Sequence, residues 1–222
     1  MKKILYSVAL AACCMGTMTS CSDFLDASNK SNVTAKQSFA TKEGLNNLVN
    51  NAYQHLQNVY AAPLFTSCFS AGTDMYADAR NKMNEALNTY ETLTPENTDI
   101  KNLYTYLYAG IRAANSVSYY AQTAQVDDKT KGQLVGEARV LAAYEYYLLV
   151  NNFGGVPIMK DFLTTADTGY PKSSATDVYA YIISELEDVI SKNVLQASTA
   201  TKGGGRISQE TAKAILAKTY LS

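Results

Sequence analysis

The segment TKGQLVGEARVLAAYEYYLLVNN, residues 130 to 152, is apolar on nearly every side when wound at 3.6 residues per turn. Such a helix is stable only when other elements cover most of its surface, so the segment predicts a central, buried helix with others packed around it. It also stops abruptly. Gly154 and Gly155 predict a left-handed cap, and Pro157 forbids continuation.

The other long segments carry narrower apolar stripes. Residues 41 to 60 place Leu45, Leu48, Val49, Ala52, Leu56 and Val59 at spacings of three and four. From about 99 to 124, Leu103, Leu107, Ile111 and Ala114 line one face, with Tyr104, Tyr108 and Asn115 beside it. Ser174 predicts the cap of a helix over 175 to 192, with Asp177 three residues on and Val178, Ile182, Leu186, Val189 and Ile190 as its stripe. Ser208 opens a last helix, in which Ile207 and Ala212 form a hydrophobic staple ahead of Ile215, Leu216 and Leu221. Loops are expected over 61 to 85, 156 to 174 and the Gly-rich 198 to 206, and only GVPIM offers a short extended piece. The fold class is therefore all-α. The pairs 99 to 124 with 130 to 152, and 175 to 192 with 208 to 222, read as tetratricopeptide-like helix-turn-helix repeats.

The N-terminus reads differently. Lys2 and Lys3 precede the short apolar run ILYSVALAA and then small residues, which is the pattern of a secretory signal peptide. That run is too short to span a bilayer, and no later stretch is long enough. A cysteine behind the run suggests a bacterial lipoprotein, acylated at its new N-terminus. Cys13, in LAAC, fits the local pattern, with Cys14 next to it. Cys21 is favoured because it leaves a complete signal peptide. Acylation of Cys21 leaves Cys68 as the one mature thiol, so no disulfide framework is expected. Loss of Lys2 and Lys3 takes the formal charge from −1 to −3, without long charge blocks, which argues against a nucleic-acid partner. The expected organisation is a signal peptide over 1–20, a lipid-anchored polar linker over 21–40 and a helical domain over 41–222. The Ala-rich last helix has no Gly, Asn or Pro after it, so the domain is expected to be incomplete, the N-terminal part of a longer protein.

Four stretches, CSDFLD (21–26), GEARVLAAYEYYLLVNNFGGVPI (136–158), PKSSATDVYAYIISELEDVI (171–190) and GRISQETAKAILAKTYL (205–221), together resemble the SusD/RagB family of outer-membrane nutrient-uptake lipoproteins in words, order and spacing. Members are more than twice this length. The resemblance implies a SusD-like helical scaffold tethered at the outer face of the outer membrane through an acylated Cys21. It also implies glycan binding and a SusC-like TonB-dependent transporter as partner. Asp23 and Asp26 resemble the acidic signal that sends such lipoproteins to the surface, and equally read as a solvated tail.

Glycan binding needs flat aromatic faces for sugar rings and amide, carboxylate or guanidinium groups for their hydroxyls. The chain has 17 Tyr and no Trp. Most tyrosines, Tyr104, Tyr108, Tyr144 and Tyr147 among them, stand at core-facing helical spacings. The loop GTDMYADARNKMNEALNTY, residues 72 to 90, instead gathers Asp74, Tyr76, Asp78, Arg80, Asn81, Asn84 and Tyr90 in a long connection, where binding residues concentrate. The corresponding family loop contributes ligand contacts. Starch binders use Trp there, so its absence leaves the ligand open.

An enzyme would need paired carboxylates: Glu137 with Glu145, or the Glu185, Glu187, Asp188 cluster. Glu185 and Asp188 read better as a solvated helix face, and Glu137 as a partner for a scaffold group. No catalytic residues are expected. His55, the single histidine, makes no metal site alone, and KGGGR (202–206) lacks a phosphate-loop pattern, so no metal or cofactor is expected. The alternative to glycan capture is a helical-repeat adaptor for a protein or peptide, without glycan affinity.

Overall fold

The structure is a computed structural model that describes residues 35–61, 63–76, 85–165, 169–201 and 205–222. Cys13, Cys14, Cys21, Asp23 and Asp26 lie outside the described residues. The described helices are α1 (Ala35–Phe39), α2 (Lys42–Tyr60), α3 (Leu64–Phe69), α4 (Glu85–Thr89), α5 (Thr98–Ala121), α6 (Asp128–Phe153), α7 (Ala175–Lys192), α8 (Ser198–Thr201) and α9 (Gln209–Tyr220). Among the described residues there are no strands. The GVPIM stretch forms no ladder, and the one bridge is the tight turn Thr73 to Tyr76.

Each long helix starts at a side-chain cap. Thr41, Asn97, Asp127, Ser174 and Ser208 each accept a backbone N–H from the first turn that follows. Asp127 starts α6 two residues earlier than its apolar pattern predicts. Ser174 Oγ accepts Asp177 N–H at 3.1 Å and donates to its carboxylate at 2.6 Å, as the spacing predicts. The end of α6 differs from expectation. Gly154 has φ 69° and ψ −136°, a positive-φ conformation outside the left-handed helical well. Gly155 serves a different need: a Cβ there would overlap Ser173 O, because segment 173–175 runs directly across it.

The helices stack in antiparallel neighbours: α2 on α5, α5 on α6, α6 on α7, α7 on α9. As its all-round apolar pattern predicts, α6 is the most buried, touching α2, α5, α7 and α9. Its Leu141, Tyr146 and Leu149 join Leu45, Leu107, Ile111, Ile182 and Leu186 among the fully buried side chains. Tyr147 is buried, while Tyr104, Tyr108 and Tyr144 are half-buried against the core. Leu221, placed on the last apolar stripe, is instead 89% exposed. Helix α1 forms inside the stretch read as polar linker. It packs on α2 and α5, with the Phe39 ring tilted against Tyr120 at 4.9 Å and Ala40 O accepting Gln125 N–H. No described helix is long and apolar enough to cross a membrane.

Candidate functional site

The motifs that carry the family resemblance are scaffold joints. In GEAR, a Cβ at Gly136 would crowd Val194 and Leu195, and Ala138 is fully buried. Glu137, also fully buried, accepts Arg206 Nε at 2.7 Å, the Tyr53 hydroxyl at 3.1 Å and Gln133 Nε2 at 3.0 Å. Tyr53 in turn accepts Ile207 N–H at 2.8 Å, and the Arg206 guanidinium lies over the Tyr53 ring at 5.5 Å. Burial first, then the charge of Glu137, pushes the Tyr53 hydroxyl pKa well above the ordinary tyrosine value, so it stays a neutral donor. Glu137 therefore pairs with a scaffold group, as expected, and the group is the arginine of GRIS.

Arg139 reaches the other way, to Glu185 at 2.7 Å and Asp188 at 2.5 Å on α7. Glu185 and Asp188 are thus a two-pronged clamp on α6, which corrects their reading as a merely solvated face. Glu187 accepts the Tyr220 hydroxyl at 2.7 Å. Glu145 is fully buried with neither oxygen hydrogen-bonded, and burial holds its carboxyl far above the usual range. It fits against Gly110, where any Cβ would overlap it.

The ligand-facing residues predicted from sequence sit on the α3–α5 connection. Asp78, Arg80, Asn81 and Asn84 lie outside the described residues. Asp74 and Tyr76 belong to an exposed turn closed by Tyr76 N–H donating to Thr73 O. Gly72 N–H donates to Asn88 Oδ1 at 3.4 Å, and the Tyr90 hydroxyl donates to Gly72 O at 3.4 Å. The turn and the end of α4 are thereby tied together, with the Tyr90 ring across Gly72, where no side chain fits. Tyr90 itself takes φ 62°. Around this joint Met75 is 93%, Tyr76 39% and Tyr90 57% exposed, leaving aromatic faces open to solvent. Behind Tyr90 a cavity of about 310 Å³ is lined by Cys68, Ala71, Leu87 and Phe153, among others. Burial, and then Asp99, push the Cys68 thiol up to about 11.

A second surface was not foreseen. The outer face of α2 presents Asn50, Gln54, Gln57 and Tyr60 along an open groove of about 500 Å³ that ends at Arg206. Tyr60 continues into a ring cluster with Phe65 and Phe69, at centroid distances of 5.4 and 6.4 Å, and is hydrogen-bonded to the Tyr144 hydroxyl. The signal lies in NNAYQHLQN as amides at spacings of four and three residues.

No group of three or more potential metal ligands occurs among the described residues, and His55 stands half-buried with its pKa lowered by burial.

A tetratricopeptide-like helical stack that holds aromatic and amide-bearing loops on a rigid frame is the architecture of a binding scaffold. Residues 23–221 match the model of a SusD-like family described as "Starch-binding associating with outer membrane", and the chain belongs to that SusD/RagB family. A SusD-like protein of Formosa agariphila is 27% identical over 190 residues, covering 83% of this chain and 36% of its own length. A SusD-like protein of Bacteroides ovatus is 27% identical over 134 residues, covering 59% and 24%. Among solved structures, surface glycan-binding protein A from Bacteroides uniformis superposes with TM-score 0.68 at 25% identity, over 80% of this chain and 41% of that one. A laminarin binding SusD-like protein gives 0.70 at 22% identity, over 81% and 40%. The chain thus spans about a quarter to a third of the length of the curated relatives it matches.

Proposed function

We propose that this chain is the glycan-capturing part of an outer-membrane uptake system. It would hold oligo- or polysaccharide at the cell surface and pass it to a SusC-like TonB-dependent transporter. The single observation that supports this most is the family match across residues 23–221. The exposed Tyr76 and Tyr90 rings agree with it, offering stacking faces beside Asp74 on a tied loop. Asp78, Arg80, Asn81 and Asn84 complete the proposed contact set. Tethering would come from acylation at Cys21, since two or three chains anchor a soluble domain without a span. The proposed role is binding, and the engagement of Glu137, Glu185 and Asp188 by Arg206 and Arg139 agrees with it.

Native electrophoresis through gels containing starch, laminarin or xylan tests the reading. Retardation by at least one polysaccharide is expected, lost when Tyr76→Ala and Tyr90→Ala are combined, with no reducing ends released. Loss of about 1–3 kcal/mol per stacking ring is the scale to expect, by analogy with aromatic stacking on nucleobases. Unretarded migration in every polysaccharide would instead favour the protein- or peptide-binding adaptor, for which the amide-rich α2 groove is the surface available. Mass spectrometry of the membrane form should find the acyl groups on Cys21.

A further inference from the structure

The loop between α6 and α7 builds a cavity that the reading above does not use. It encloses about 320 Å³, within the range of small-molecule sites. Helix α5 contributes Ile111, Arg112 and Asn115 to its lining. From the loop come the apolar Met159 and Leu163 and the polar Asp161, Thr164 and Thr165.

This wall is fixed from several elements. The Tyr108 hydroxyl donates to Pro157 O at 2.7 Å, Met159 N–H donates to the Tyr146 hydroxyl at 2.6 Å, and Asn115 Nδ2 donates to Met159 O at 2.8 Å. Phe162 is packed 5.3 Å from Tyr119 and 5.8 Å from Tyr120, with the Arg112 guanidinium 5.6 Å from its centroid. A wall so held needs little ordering when a ligand enters.

The lining chemistry narrows the ligand. Arg112 donates only. Asp161 accepts only, and Asn115 Oδ1 is left as an acceptor because its amide nitrogen is committed to the backbone. Thr164 and Thr165 do either. Among the described residues Arg112 has no carboxylate partner, so its donors remain for a guest. An anion in this space would face Asp161 and a cation would face Arg112. A polyol meets both without repulsion, since each hydroxyl both donates and accepts. Met159 and Leu163, both part-exposed, supply the apolar contact that the C–H face of a sugar ring requires, over the buried Ile111. We propose that this cavity is a binding subsite for one neutral pyranose ring, separate from the Tyr76–Tyr90 surface.

Methyl-labelled full chain titrated with glucose, galactose and N-acetylglucosamine tests this by NMR. At least one sugar should shift the Ile111 and Met159 methyl signals saturably. Arg112→Gln and Asp161→Asn should each weaken that binding about tenfold or more, the scale of a hydrogen bond to a charged group. Methyl signals remote from the loop should keep their positions in both variants, which reports an intact fold. The Tyr76→Ala, Tyr90→Ala double variant should leave the titration unchanged, so failure here is distinguishable from failure of polysaccharide capture. The proposal is overturned by the absence of saturable shifts with all three sugars. It is equally overturned if glycine or acetate shifts these methyls and the sugars do not, or if sugar shifts survive both variants.

Discussion

Glu145 and Glu137 occupy one helix, two turns apart, and meet opposite fates. Glu137 has three donors; Glu145 has none, and burial raises its carboxyl pKa well above the ordinary value. With the folded-state pKa raised, Glu145 adds no pH-dependent cost below the ordinary carboxylate range, where both states are protonated. As pH climbs from there toward the raised value, only the unfolded chain ionises, and the stability contribution is lost. Urea unfolding of Glu145→Gln should therefore gain on the parent as pH goes from 4 to 8, and a pH-independent difference would contradict this. Arg206→Ala leaves Glu137 buried without its cation and should cost on the order of 3 kcal/mol in the same assay. Arg206→Lys should recover only part, because the fork to Glu137, Asn46 and Asn50 is lost. The sequence showed that Glu137 would find a scaffold partner but not which, since a contact across 69 residues leaves no periodic trace. It gave no warning of Glu145, whose spacing matches any core position of α6.

At the scale of the element, caps were legible and close approaches were not. Ser174 and Ser208 announced their helices through polar residues set just ahead of apolar stripes. Ser174→Ala should lower thermal stability by about 1 kcal/mol, measured by calorimetry, and Ser174→Gly by only a few tenths. The sequence pattern makes Gly155 part of a cap, yet its role is to admit the 173–175 backbone, which sequence pattern cannot display. Gly155→Ala should therefore destabilise well beyond the small gain that Gly→Ala brings at an unstrained site, visible as an earlier unfolding midpoint. The candidate loop stands out by composition alone. Its tie through Tyr90, Gly72 and Asn88 does not, because a ring lying across a glycine is a tertiary event.

For the whole molecule, neighbouring helices carry most of the contacts, as in repeat proteins whose stability sums over adjacent interfaces. Arg139 is the principal charged tie between α6 and α7. In Arg139→Ala, hydrogen exchange should accelerate in α7 and α9 while α2 and α5 keep their protection; uniform acceleration would mean the stack behaves as one unit. Conversely, Arg206 and Ile207 clasp Asn46, Asn50 and Tyr53 at the far side of the sequence, 154 residues away in the case of Ile207 and Tyr53. That clasp dictates order. In a chain cut short before residue 205 everything through α7 is present, yet the carboxylate of Glu137 lacks its cation. Such a truncated chain should therefore stay loose and protease-sensitive, and one extended through the GRIS turn and α9 should firm up.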